Sequence, residues 1–234
     1  MTVRKAGKMK RLETILSLIP QGSRLVDVGC DHCYIPIQAV STGLCPEAYA
    51  SDVRPGPLGR ARENVRAAGL SGKITLALAD GLHGAEAFDP DAVVIAGMGG
   101  ELIAGIIDAA PFVRSPRVSL ILQPMTSPYE LRKYLFTHGF GAVRERLAAE
   151  DGHIYQVISC RYTGISPIYT EAELEVGRDH GDAELAAAHL EKYIKKYDKI
   201  IKGIAASGKD AEAQIRVRGE LIEKYENQKA VRRT

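Results

Sequence analysis

Along the first two thirds of the chain, apolar positions repeat with two different periods. Short runs of adjacent apolar residues are typical of strands that are buried on both faces. They alternate with stretches in which apolar residues recur every three or four positions, as on one face of a helix. This alternation predicts an α/β fold with a doubly wound sheet. Strands are predicted over residues 24–29, 47–52, 73–79, 91–96 and 118–122, and helices over residues 9–19, 34–43, 55–68, 101–109 and 129–138.

The last third of the chain changes character. Two further strands, 142–149 and 153–162, are predicted to pair across the hairpin turn signal Asp151-Gly152. After residues 163–169, two apolar runs step by three and four, with Ser207-Gly208 between them and Arg218 at a missing step. They predict an antiparallel helical hairpin with a coiled-coil seam. The first run is Leu190, Ile194, Tyr197, Ile201 and Ile204, and the second is Ala211, Ile215, Ile222 and Tyr225. We therefore expect one domain over residues 1–165 and a helical domain over residues 166–234.

Charge and composition limit the classes of binding partner that the sequence favours. The 234 residues carry a net charge of +2, but basic residues concentrate near both ends. Such patches suit a polyanion such as RNA, although lysines also commonly solvate a helix face. Without a signal-peptide core or an apolar run of ~20 residues, we expect a cytoplasmic protein that does not enter a membrane. The basic residues of these clusters are Arg4, Lys5, Lys8, Lys10, Arg11, Lys192, Lys195, Lys196, Lys199, Lys202, Lys209, Arg232 and Arg233.

Three acidic residues follow successive predicted strands. Asp27, Asp52 and Asp80 each stand at a carboxyl end, where parallel strands of an α/β fold present their ligands. Asp52 lies about 20 residues beyond the first turn, the spacing at which an acid binds ribose hydroxyls. Asp80 can accept a hydrogen bond from an adenine amine. A single acid at a strand end is often only a helix cap, but three together predict a nucleoside site.

The glycines do not match a dinucleotide fingerprint. Gly29 is followed by Cys30-Asp31-His32-Cys33, where a pyrophosphate would need further glycines. The turn predicted at Gly97-Met98-Gly99-Gly100 comes too late in the chain for that purpose. A cofactor that carries a nucleoside but no phosphate tolerates such a first turn. S-adenosylmethionine is such a cofactor.

The cysteine pair in the first turn has three interpretations. Cys30 and Cys33 have redox-motif spacing before a helix, where a thiolate is stabilised. Zinc binding is the second, but Cys45 and Cys160 supply no second pair. The third is that the thiols are small, partly buried apolar groups. The nucleoside-binding surroundings favour the third, and we expect no metal.

Polar and aromatic residues near this turn are candidates for contact with a substrate. Asp31 is the better candidate for reaching a substrate base, whereas His32 is equally suited to capping the helix. Gln123-Pro124-Met125, at the end of the fifth strand, lies on the same predicted rim. Tyr34 and Tyr129 can stack on a base, although a tyrosine on a helix is more often half-buried packing.

Several motifs together support a family resemblance. They are Lys10-Arg11-Leu12, the run from Asp27 to Pro36, Asp80-Gly81, the run from Ala96 to Gly100 and Leu122-Gln123-Pro124. With these motifs the chain resembles the tRNA (adenine-22-N1)-methyltransferases, which modify adenine N1 in the tRNA D-arm. The resemblance covers about residues 9–160. It implies a Rossmann-like, class I S-adenosylmethionine-dependent methyltransferase domain with a C-terminal coiled-coil domain, acting on tRNA as a monomer or weak dimer.

The resemblance also implies roles for individual residues. Asp31 matches the acidic residue near the point of methyl transfer, so it is the predicted catalytic residue. Met125 departs from the asparagine expected after Gln-Pro, which weakens any hydrogen bond from this position to the target adenine. The expected cofactor-binding residues are Asp27, Gly29, Cys30, His32, Tyr34, Asp52, Val53, Asp80, Gly81, Gly97 and Met98. The expected substrate-binding residues are Arg11, Gly99, Gly100, Gln123 and Pro124.

Two other functions are compatible with these residues. One is a methyltransferase for a small molecule or a protein, which the basic ends disfavour. The other is a non-catalytic RNA-binding protein that keeps a relic of a cofactor fold. Cofactor binding separates the second from both methyltransferases, and reaction with unmodified tRNA separates the first from the tRNA enzyme.

Overall fold

A computed structural model describes residues 10–178 and 180–231. Seven strands form one sheet in the order β3-β2-β1-β4-β5-β7-β6. Strands β1 to β5 run parallel, β7 is antiparallel to β5, and β6 is antiparallel to β7. The predicted α/β fold is confirmed. The strands are β1 (Leu25–Val28), β2 (Ala48–Asp52), β3 (Ile74–Leu78), β4 (Ala92–Gly99), β5 (Ser119–Thr126), β6 (Phe140–Glu150) and β7 (His153–Tyr162).

The helices lie between the strands and after them. They are α1 (Arg11–Leu18), α2 (Tyr34–Ser41), α3 (Pro55–Ala67), α4 (Gly100–Asp108), α5 (Pro128–Thr137), α6 (Glu171–Val176), α7 (Ala183–Ala206) and α8 (Glu212–Val231). Short 3-10 helices cover Ala85–Phe88 and Pro111–Val113. Helix α6 was not predicted. A capping box begins it, because the Thr170 side chain accepts from the Glu173 amide while the Glu173 carboxylate accepts from the Thr170 amide.

The central strands are buried on both faces, as their apolar runs predict. In β1, Val26 and Val28 pack with the α4 and α5 side of the sheet, whereas Leu25 packs with the α1, α2 and α3 side. In β4, Val93 and Val94 divide between the two sides in the same way. The two-sided core fixes the strand register, so the acids that follow the strands meet at one edge.

Strands β4 and β5 extend beyond their predicted ends. The prediction of a turn at residues 97–100 is wrong, because Gly97, Met98 and Gly99 belong to β4 and Gly100 begins α4. The β4–β5 ladder is irregular on either side of Met98, and Gly97 has a φ of +78°. A glycine in a left-handed conformation lets a strand bulge without ending.

Helices α6, α7 and α8 share a small apolar core of their own. Leu190 and Tyr197 of α7 contact Val217 and Leu221 of α8. The second run is confirmed at Tyr225, which packs against this core, and wrong at Ile215, which is 56% exposed while Val217 takes the buried position. Arg218 forms an ion pair with Asp198 of α7 instead of leaving a gap in the seam. The coiled-coil supercoil stays a prediction.

A buried arginine ties α6 to the sheet. The Arg132 side chain is 0% exposed and donates to both carboxylate oxygens of Glu145. It also donates to the carbonyl oxygens of Leu174 and Glu175. The predicted domain boundary at residue 165 falls in the segment between β7 and α6 and stays a prediction.

Part of the predicted basic surface lies outside the described residues, namely Arg4, Lys5, Lys8, Arg232 and Arg233. Within residues 10–178 and 180–231, no helix is both long enough and apolar enough to cross a membrane.

Candidate active site

A cavity of about 640 Å³ opens at the carboxyl ends of the parallel strands. Asp27 lies within β1, Asp52 ends β2 and Asp80 follows β3, and all three line it. Because β1 lies between β2 and β4 in the sheet, the turns after these strands face a common space. The predicted residues that line it are Arg11, Asp27, Gly29, Cys30, Asp31, His32, Tyr34, Asp52, Val53, Asp80, Gly81, Gly97 and Met98.

Four predicted substrate-binding residues lie outside the lining of this cavity. A side chain at Gly100 would place its Cβ 2.1 Å from the carbonyl oxygen of Ser127, and one at Gly99 would meet Oγ1 of Thr126 at 3.2 Å. Packing against the end of β5 therefore accounts for both glycines. Gln123 is 0% exposed, and its side chain donates to the carbonyl oxygen of Pro124. Their proposed contact with substrate stays a prediction.

The apolar part of the lining is not predicted by the sequence. Leu12 and Ile15 border the cavity. The apolar pattern predicts the helix over residues 9–19 that carries them, but it does not indicate what this helix covers. The other lining residues that were not predicted are Val28, Ile35, Arg54, Ala79, Ala96, Leu102 and Ile106.

Two glycines allow backbone to approach the centre of the cavity. Gly29 has a φ of +72°, and a Cβ built there would lie 2.3 Å from Cε of Met98. Gly97 also has a positive φ, and its Cβ would point towards Nη1 of Arg11 at 3.8 Å. The amides of Gly29 and Cys30 both donate to the carbonyl oxygen of Ser51, which fixes the first turn against β2. This cradle fits a nucleoside, and the amides of Gly29 and Cys30 are bonded to Ser51 and do not face a pyrophosphate.

Arg11 connects the first helix to the end of the sheet beside the cavity. Its Nη1 donates to Oε1 of Gln123 at 3.0 Å, and its Nε lies 3.8 Å from a carboxylate oxygen of Glu150. The guanidinium also stands 5.8 Å from the ring centre of Tyr155. With its side chain 38% exposed, Arg11 presents a positioned positive charge at the rim.

Asp27 is buried at the base of the cavity. Asp27 is only 3% exposed, and burial raises the pKa of its carboxyl from 3.8 to about 8. A desolvated carboxyl of this kind favours a nearby cation, because the cation compensates for the charge that burial disfavours. The α-ammonium group in the amino acid portion of a sulfonium cofactor fits this position.

Asp52 and Asp80 differ in their exposure. Asp52 is 5% exposed, and its Oδ1 accepts from the backbone amide of Arg54 at 2.9 Å. This bond holds the carboxylate in place while its second oxygen keeps accepting capacity for a ribose hydroxyl. Asp80 is exposed at the rim, next to Gly81, whose φ is +56°.

Asp31 lies in an unusual backbone conformation at the cavity rim. Its φ is +37°, and that of Cys33 is +61°, so this turn places two non-glycine residues in the left-handed region. The Asp31 Oδ1 atom accepts from Nη2 of Arg60 at 2.7 Å. This hydrogen bond is the main reason that the pKa of Asp31 is lowered, with His32, Arg60 and Arg54 adding positive charge. Asp31 is therefore a carboxylate near neutral pH.

An aromatic pair stands next to Asp31. The rings of His32 and Tyr34 stack with centres 5.2 Å apart and planes 13° apart. Tyr34 is 59% exposed, so its outer face is open to a flat partner such as a base.

The four cysteines are buried and free. A hydrogen bond with Cys30, together with burial and the nearby Asp27, raises the pKa of Cys33 far above its ordinary range. A protonated thiol is a poor nucleophile and a poor metal ligand. Among the described residues, no three histidine, cysteine or acidic side chains are grouped as a metal site. These observations favour the interpretation of the thiols as apolar groups.

The fold and the cavity define a Rossmann-like methyltransferase, and residues 8–158 match the family model described as "Methyltransferase domain". The tRNA (adenine(22)-N(1))-methyltransferase of Bacillus subtilis is 35% identical over 164 residues, which are 67% of this chain and 69% of that protein. This chain belongs to the family of the tRNA (adenine-22-N1)-methyltransferases. The predicted resemblance is confirmed.

Solved structures agree with this assignment over nearly the whole chain. A Streptococcus pneumoniae protein solved in complex with S-adenosyl-L-methionine has a TM-score of 0.74 and 32% identity, covering 96% of this chain and 99% of that one. M. capricolum TrmK, solved with S-adenosyl-homocysteine, has a TM-score of 0.72 and 26% identity, covering 94% and 96%. The similarity therefore includes the C-terminal helices.

Proposed function

We propose that this protein transfers a methyl group from S-adenosylmethionine to N1 of adenine 22 in the D-arm of tRNA. One observation carries the proposal: Asp27, Asp52 and Asp80 line one cavity with Asp31 at its rim. That arrangement combines a nucleoside site with a carboxylate at the place where a substrate base would enter. Membership in the tRNA (adenine-22-N1)-methyltransferase family supports the choice of substrate.

The proposed cofactor contacts follow from the chemistry of each side chain. Gly29 and Gly97 leave room for the cofactor to lie against the backbone. Asp52 binds the ribose hydroxyls, and Asp80 accepts from the adenine amine at the rim. Asp27, at the buried end, binds the α-ammonium group of the amino acid portion. When bound, S-adenosylmethionine supplies a methyl group on a sulfonium sulfur.

The target base needs orientation more than activation. The lone pair on adenine N1 lies in the ring plane and is already nucleophilic, so no strong base is required before attack. Methylation leaves positive charge on the ring. By accepting from the exocyclic amine, the Asp31 carboxylate stabilises that charge as it develops. Alignment of N1 with the methyl group supplies much of the remaining acceleration.

Met125 stands where the family resemblance leads us to expect an asparagine. It is 51% exposed, and its sulfur lies 3.4 Å from Nε2 of Gln123. A thioether accepts hydrogen bonds only weakly and donates none. The proposal therefore assigns the recognition of the adenine edge to Asp31 and not to residue 125.

Basic residues support binding of the tRNA backbone. Arg11 and Arg54 line the cavity, and Lys10 lies beside α1. A groove along α7 is lined by Lys192, Lys195, Lys196 and Lys199. Lys195 pairs with Glu191 and Lys196 with Glu175, whereas Lys192 and Lys199 are exposed. Binding through phosphates should weaken steeply as salt increases.

A target adenine that lies within a stem must be unpaired or flipped out before it reaches the cavity. A tRNA substrate also suits the predicted cytoplasmic location.

Incubation with unmodified tRNA and methyl-labelled S-adenosylmethionine tests the proposal. We expect label in the wild-type transcript and none in a transcript whose adenine 22 is replaced by guanine. Calorimetry on the same preparation checks that the cofactor binds. Cofactor binding without transfer to tRNA would contradict the proposed substrate, and absence of cofactor binding would contradict the enzyme.

A further inference from the structure

The turn that carries Asp31 needs support from outside itself. Its residues Asp31 and Cys33 both have positive φ values, a conformation that costs non-glycine residues energy and persists only when surrounding contacts hold it. The cofactor turn precedes it at Gly29, and helix α2 follows it. The position of the Asp31 carboxylate therefore depends on what braces this turn.

Helix α3 supplies two such braces. Arg60 and Asn64 are four residues apart, so they lie on one face of the helix. Nη2 of Arg60 donates to Oδ1 of Asp31 at 2.7 Å, and Nδ2 of Asn64 donates to the carbonyl oxygen of His32 at 2.9 Å. One bond fixes the carboxylate, and the other fixes the adjoining backbone.

We propose that Arg60 and Asn64 are positioning residues for methyl transfer, which hold Asp31 so that its Oδ2 meets the exocyclic amine of the substrate adenine. The inference rests on the proposed function. The Arg60 bond occupies Oδ1 alone. Oδ2 lies 3.7 Å from Nε2 of His32, which is too far for a hydrogen bond, so this oxygen keeps its capacity to accept from the substrate.

A contribution to fold stability does not explain the ion pair between Arg60 and Asp31 well. The side chains of Arg60 and Asp31 are 49% and 48% exposed, and ion pairs at such exposure add little to fold stability. Their effect on the carboxylate is more direct. The charged groups that face Asp31 are Arg60 on α3, Arg54 before α3 and His32 in its own turn, and together they favour an acceptor-only carboxylate.

The helix also connects the two proposed halves of the site. Arg54, whose amide holds Asp52, immediately precedes α3, and Arg60, six residues later, holds Asp31. The ribose acid and the substrate acid are therefore positioned by one rigid element. Their separation is set before either ligand binds.

The test compares Arg60→Gln with Arg62→Gln, an exposed arginine on another face of the same helix. We expect kcat of Arg60→Gln on unmodified tRNA to fall about tenfold through lost orientation, with the dissociation constant for S-adenosylmethionine unchanged. Arg62→Gln should leave both constants at the wild-type values. Arg60→Lys, which keeps the charge but replaces the planar guanidinium by one ammonium group, should recover part of the rate.

Carbon-detected NMR titration of Asp31 gives a readout that a general loss of packing would not produce. In Arg60→Gln the pKa of Asp31 should rise towards its ordinary value, and the acid limb of the kcat profile should move to higher pH with it. Asn64→Ala should lower kcat without moving this pKa. A wild-type rate in Arg60→Gln, an unmoved Asp31 pKa, or an equal loss of rate in Arg62→Gln would overturn the inference.

Failure of the proposed function is distinguishable from failure of this inference. If the function is wrong, the wild-type protein itself transfers no methyl group to tRNA. If only the positioning inference is wrong, the wild-type rate is intact and the contradiction is confined to the variants.

Discussion

A Cβ atom at Gly29 would lie 2.3 Å from Cε of Met98, so a side chain in the first turn requires the tip of Met98, at the bulged end of β4, to move. The backbone of Gly29 and the flexible thioether of Met98 together form one wall of the cavity. The substitution Gly29→Ala must displace the Met98 side chain from its position and must also strain a residue whose φ is +72°.

We expect Gly29→Ala to weaken S-adenosylmethionine binding about tenfold or more, which corresponds to a loss of about 1.4 kcal/mol in binding free energy. Calorimetry measures this change. Gly22→Ala is the matched control, because Gly22 has a φ of +80° with nothing within 4 Å of its Cβ position. Gly22→Ala therefore measures the effect of backbone strain alone, without the displacement of a neighbouring side chain. Equal affinities for both variants would show that the close approach does not matter for the cofactor.

Asp27 predicts an unusual pH dependence of stability in the cofactor-free protein. Burial raises the pKa of its carboxyl in the folded protein to about 8, whereas in the unfolded chain it titrates near 3.8. Between these values the folded state binds more protons, so the free energy of unfolding falls as pH rises, by at most about 1.4 kcal/mol per pH unit.

Asp27→Asn carries no ionisable carboxyl, so this contribution to the slope should vanish. Urea denaturation of wild-type protein and Asp27→Asn across the range from weakly acidic to neutral pH measures the difference. The variant should gain stability relative to wild type as pH rises. Two parallel curves would show that Asp27 is not desolvated in the folded protein.

Asp31→Asn tests the catalytic assignment. The variant keeps the size of the side chain but loses the charge that stabilises the methylated ring. We expect kcat to fall by about 100-fold or more, the magnitude typical of losing one preorganised electrostatic contact. The affinity for S-adenosylmethionine should change by less than about threefold. Steady-state kinetics and calorimetry on one preparation separate these quantities, and a parallel loss of both would exclude a catalytic role.

Arg132→Met tests how the C-terminal helices are joined to the sheet. It leaves the Glu145 carboxylate, 3% exposed, without its guanidinium partner. Removing one partner of a buried ion pair costs about 3–5 kcal/mol. Arg114→Met, in the exposed pair with Asp108, should cost about 0.2–1 kcal/mol. Urea denaturation measures both losses of unfolding free energy. Similar losses in the two variants would show that burial does not set the strength of the Arg132 pair.

The parts of the fold that depend on local pattern were predictable from the sequence. Alternating strand and helix periods placed Asp27, Asp52 and Asp80 after parallel strands, and topology alone brings such residues to one edge. Parallel strands also explain why the continuous apolar run around Val94 is buried on both faces.

The errors arise where distant residues decide the outcome. Gly97 was assigned to a turn, but pairing with β5 extends β4 through a bulge at that residue. The phase of α8 depends on packing with α6 and α7, and this packing buries Val217 and leaves Ile215 exposed. The sequence pattern places Arg60 within the helix predicted over residues 55–68 and does not single it out. Its contact with Asp31, 29 positions away, exists only once α3 has docked.

Mapping the methylated nucleotide after reaction with a pool of unmodified tRNAs tests the central claim most directly. Nuclease digestion with mass spectrometry identifies the modified base and its position. We predict 1-methyladenosine at position 22 of the D-arm, formed about 100-fold more slowly when Asp31→Asn replaces the wild-type protein. Methylation at another nucleotide, or unmodified tRNA from a protein that binds S-adenosylmethionine normally, would contradict the account.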